Sequence, residues 1–69
     1  MKDAIPVYER SNRHFANAAR QKAVKAAFLL DESSYCFDNA GDKTGADLAA
    51  KAIEAAMQVA DYIDAKLER

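Results

Sequence analysis

The sequence has no tryptophan, one cysteine, one proline, one histidine and two glycines among its 69 residues. Each shortage removes a class of protein. Cys36 alone cannot form an intramolecular disulfide, so a disulfide-stapled secreted scaffold is excluded. A reducing, cytoplasmic setting is the expectation. Cys36 and His14 are the only soft metal ligands, too few to complete a zinc site. So few glycines and prolines among abundant aliphatics argue against disorder as the whole answer. The longest apolar runs, such as 26–30, are about five residues against roughly 18 needed to cross a bilayer, so no membrane partner is expected. Residues 1–8 carry Lys2, Asp3 and Pro6 without an apolar stretch, and do not read as a secretory signal.

Excess charge is missing too. Ten basic and eleven acidic residues leave a net charge of −1, without the positive bias of a general nucleic-acid binder.

What the chain has in quantity is alanine. Hydrophobic residues make up 51% of the sequence, and 16 of them are alanine. A chain this short buries only about 60% of its unfolded surface, and its apolar burial roughly cancels the entropy of ordering. A multidomain protein is excluded, an enzyme with a deep pocket is not expected, and a partner chain already belongs to the picture.

Helical periodicity organises the rest. Stepping about 100° per residue from Phe15, the residues Tyr8, Phe15, Ala19, Ala23, Ala26 and Leu30 fall in one sector of about 80°. Pro6 suits a first helical turn, with Ser11 as a competing cap. The spacing predicts a first helix over about 6–36. A loop follows over about 37–44, marked by Gly41, Gly45 and the Asp and Asn residues around them. A second helix runs over about 45–68, with Thr44 as N-cap and Asp47 completing a box of the capping type. On it Leu48, Ala52, Ala56, Val59 and Ile63 form one tight stripe, broadened by Ile53, Met57 and several alanines. One partner helix cannot cover so wide an arc. On the first helix Val24, Phe28 and Tyr35 line up on the face opposite Phe15, and a lined-up aromatic group suggests a contact. The fold expected is all-α: an antiparallel two-helix hairpin that dimerises into a four-helix bundle. Val24, Phe28, Tyr35, Ile53 and Met57 are its candidate protein-interface residues.

Motifs for chemistry fail one by one. Laid on the EF-hand template from Asp38, positions three, six and twelve fall on Ala40, Lys43 and Ala49, where an oxygen ligand, Gly and Glu are required. The segment Gly41–Gly45 lacks the spacing of a phosphate loop. Cys36 and His14 belong at opposite ends of one helix, so no thiol–imidazole pair is available. Asp61 and Asp64 share a helix face but read as a solvated or salt-bridged pair. No catalytic, metal or cofactor residue is assigned, and no enzyme is expected.

Charge is distributed unevenly. Residues 1–37 carry six Lys or Arg against four Asp or Glu, and residues 38–69 carry four against seven. Arg10, Arg13, Asn17, Arg20, Gln21 and Lys25 share one face of the first helix, a candidate surface for RNA or DNA. The plainer reading is interhelical pairing, because an antiparallel hairpin sets Arg10, Arg13 and Arg20 beside Glu68, Asp64, Asp61 and Glu54. Such pairs set orientation more than they stabilise.

In length, near-neutral charge, alanine-containing stripes and the display of Arg13, Asn17, Lys25 and Phe28, the chain is similar in outline to the Rop-type plasmid copy-number regulators. That resemblance is architectural and implies a dimerising helical hairpin; no functional position carries over. The function expected is a small non-enzymatic interaction or regulatory protein, of the kind bacteria and phages use as accessories to larger complexes. A homodimer is expected, with a larger host protein or complex as a further partner. The second reading is a dimeric RNA- or DNA-binding regulator.

Overall fold

The computed structural model describes the backbone of residues 10–67 and the side chains of residues 12–67. The expected helix start at Pro6, the stripe position of Tyr8, the cap at Ser11, the side chain of Arg10 and the pairing of Glu68 lie outside those limits. Within them two helices, α1 (Arg10–Asn39) and α2 (Lys43–Lys66), pack against each other as a hairpin. Among the described residues the hairpin is one layer of two helices, with both broad sides open.

The connection is three residues long, shorter than the loop expected over 37–44, and its hydrogen bonds explain why. Asp42 N–H donates to the Phe37 carbonyl at 2.9 Å and Gly41 N–H donates to Asp38 at 3.1 Å. This is the Schellman pattern, which needs a left-handed residue just past the helix end. Gly41 supplies it with φ of +76°. The residue that completes this cap begins the next one: Asp42 Oδ1 accepts from Gly45 N–H at 2.9 Å as the N-cap of α2. Asp42 therefore takes the role expected of Thr44. The sequence signal for Thr44 was a carboxylate three residues on, but a cap two residues earlier is what a closed Schellman turn leaves room for.

The seam between the helices is built of small residues. Among the described residues seven hydrophobic side chains are buried, five of them alanines (Ala16, Ala27, Ala46, Ala49 and Ala60), with Ile63 and Leu67. Ala16, Ile63 and Leu67 form one cluster near the open end. At the loop end Gly45 is buried beneath Phe37, so close that a Cβ there would lie 2.6 Å from the ring Cε1. No large side chain among the described residues is fully buried.

The seam runs along one edge of the expected α1 stripe and not through its middle. Phe15, the reference for that stripe, is 73% exposed. Leu48 and Val59 of the expected α2 stripe are exposed as well. Two helices approach most closely where side chains are smallest, so the contact rotates onto the alanines and the large residues are left beside it.

Candidate functional site

Two apolar surfaces flank the alanine seam. On one side Val24, Ala27, Phe28 and Asp31 of α1 meet Ile53 and Met57 of α2 around a groove of about 290 Å³. Four of the five expected interface residues are thereby brought together. Val24 and Ile53 are half-buried at the groove, while Phe28 is 69% exposed on its rim. Tyr35, the fifth, is exposed two turns further along the same line of α1. Its carbonyl accepts from Asn39 Nδ2 at 3.0 Å, a local bond near the end of the helix.

The opposite side carries Phe15 and Leu29 of α1 with Leu48, Val59 and Tyr62 of α2, all exposed. The sequence marked the first of these stripes as apolar but assigned them to the contact within the hairpin. Leu29 lies at the margin of the α1 sector, and the hydroxyl of Tyr62 hides its apolar ring from a simple count. Counting side-chain size, and not apolar character alone, would have separated the alanine seam from this second surface. The ring of Tyr62 also lies beneath Lys66, whose Nζ is 5.6 Å from the ring centroid.

The basic surface of α1 is divided by the fold. Arg13, Gln21 and Lys25 are exposed, and Asn17 is half-buried. Arg20 turns to α2, where its Nε donates to Asp64 Oδ1 at 2.6 Å. That hydrogen bond and the charge of Asp64 hold the guanidinium above its ordinary pKa, with a smaller contribution from Asp61. Of the interhelical pairs expected between the start of α1 and the end of α2, this is one the fold makes. Arg20 therefore brings its own counter-charge to any anion approaching this face.

No group of three or more His, Cys, Asp or Glu among the described residues is arranged to hold a metal ion. His14 stacks edge-on against its neighbour Phe15, with ring centroids 5.3 Å apart. It is 22 positions from Cys36 on the same helix, roughly 33 Å at 1.5 Å per residue, so the two cannot act on one substrate atom. No helix among the described residues is long and apolar enough to cross a membrane. Comparison with protein-family models, with curated proteins and with solved structures found no significant match to this chain.

Proposed function

We propose that this protein is a small non-enzymatic interaction module, a homodimeric four-helix bundle that binds a larger protein through exposed helix surface. The observation that carries this reading is the number of large apolar side chains left in solvent. Phe15, Phe28, Leu29, Tyr35, Leu48 and Tyr62 are each more than half exposed, while the buried seam holds five alanines. A soluble monomer scatters such residues singly; here they line up along two sides of one hairpin. The groove at Val24, Phe28, Ile53 and Met57 suits an apolar side chain of a partner helix, and Asp31 on its lining favours a cation beside that side chain.

The test is comparative capture. Full-length wild-type and Phe28→Asp proteins are used as baits under equal loading. A defined protein held by the wild type and lost by Phe28→Asp supports the reading. Identical captures contradict a role for the groove.

The exposed Arg13, Gln21 and Lys25 favour the second reading, a nucleic-acid-binding dimer. Against it stands the Arg20–Asp64 pair in the middle of the same surface. Binding to generic RNA and DNA across a salt series separates the two, since phosphate contacts weaken steeply as salt rises. Absence of binding at low salt removes this reading.

A further inference from the structure

We infer that a second copy of this chain docks on the side carrying Phe15, Leu29, Leu48, Val59 and Tyr62, with the two hairpins head-to-tail. The Val24–Phe28–Ile53–Met57 groove then stays open on the outside of the bundle. This rests on the homodimer reading above and adds to it the face used and the orientation.

Area gives the first argument. Domains are stable as two packed layers, and this hairpin is one. The proposed side is two helices wide, roughly 20 Å, and α2 runs along it for 24 residues, about 36 Å, so it offers about 700 Å², close to the ~800 Å² per partner of a standard interface.

The direction of the apolar stripes gives the second. In a four-helix bundle each helix points its stripe at the bundle axis, midway between its two neighbours. With Phe15 at zero, the seam residues Ala16, Ala23 and Ala27 centre near 100°, and the proposed docking side lies near 0°. The midpoint, about 50°, is where Ala19, Ala26 and Leu30 fall. On α2 the midpoint falls on Ala52, Val59 and Ile63 in the same way. The stripe on each helix thus aims at an axis on this side of the hairpin. Docking through the groove side instead would aim Arg13, Arg20 and Asp31 at that axis and bury the Arg20–Asp64 pair, which is costly.

Charge gives the third argument and the orientation. Among the described residues, helical register puts no carboxylate on the proposed face and only two cations, Lys22 and Lys66. Both lie in the half remote from the loop. Hairpins docked with their loops at the same end would gather four ammonium groups in one half of the interface. A two-fold axis across the helices near Ala26 spreads them over both halves and sets α1 against α1 of the partner.

The test uses the full chain and its single cysteine. Sedimentation equilibrium is measured for wild type, Leu29→Asp, Leu29→Ala and Phe28→Asp, with helicity followed by circular dichroism. Leu29→Asp should weaken the dimer at least about 30-fold, as loss of a central apolar contact does. Leu29→Ala, which keeps helix propensity, should weaken it about tenfold. Phe28→Asp should leave it within about threefold, since it is on the outer face. A spin label on Cys36 of each protomer should report a separation of about 30 Å, ten residues on either side of the axis at 1.5 Å each. A dimer broken by Phe28→Asp and kept by both Leu29 variants overturns the face while leaving the homodimer intact. A Cys36 separation under about 20 Å overturns the orientation. A monomeric wild type overturns this inference together with the dimer on which it rests.

Discussion

Arg20 and Asp64 stand 44 residues apart in sequence and are joined across the hairpin by a 2.6 Å hydrogen bond between Nε and Oδ1. The pair is partly exposed, at 34% and 27% of the two side chains. It is a side-chain hydrogen bond and ion pair across a seam otherwise lined mostly by small apolar residues. Arg20→Glu should lower the melting temperature by a few degrees, and the double exchange with Asp64→Arg should recover most of it. Thermal melts of the single and double variants check this. Equal melts for the two would show that the ion pair contributes nothing to stability. The raised Arg20 pKa means the guanidinium stays charged from neutral pH upward, and its contribution is lost only in strong alkali. Between neutral and mildly alkaline pH the guanidinium therefore adds no pH dependence to stability.

The loop tests a different principle. Gly41 is left-handed with open space around its α-carbon, while Gly45 has no positive φ but sits under the Phe37 ring. Gly41→Ala should cost about 1 kcal/mol for the backbone alone. Gly45→Ala gains up to about 1 kcal/mol of helix propensity but must displace a ring, at roughly 1–3 kcal/mol. Phe37→Ala removes the obstacle, so in that background Gly45→Ala should be neutral or stabilising. Urea melts of the wild type and the four variants give the answer. A Gly45→Ala cost unchanged by Phe37→Ala contradicts the packing explanation.

The seam itself should tolerate nothing larger. Ala60 is 1% exposed. Ala60→Leu has no space and should destabilise by about 1–3 kcal/mol. Ala50, exposed on the same helix and away from both the seam and the face proposed for the second copy, should accept leucine with far less effect on folding. Comparative denaturation shows whether the close approach of the helices is real; equal effects at both sites would contradict it.

Much of this could be read from the sequence, and the failures have a common cause. Periodicity gave two helices because alanines and larger aliphatics recur at helical spacing from Phe15 to Leu30 and from Leu48 to Ile63. Val24 and Phe28 stand out in the sequence because they are apolar yet lie off the α1 stripe, and Ile53 and Met57 because they widen the α2 stripe beyond what one helix covers; that the four line one groove is visible only in the structure. What periodicity does not weigh is size. Phe15 and Ala16 count alike in an apolar stripe, but only Ala16 lets a second helix come close. The loop is shorter than its composition suggests for a related reason: glycines and Asp42 mark a turn without showing that one residue closes α1 and caps α2 together.

On the proposed reading the hairpin works as part of an assembly and not alone. Sedimentation equilibrium of the untagged chain at micromolar concentrations tests it most directly. A mass of twice 7.6 kDa, with dissociation accompanied by loss of helicity on dilution, is the predicted result. A mass of 7.6 kDa with full helicity across the same range would contradict it.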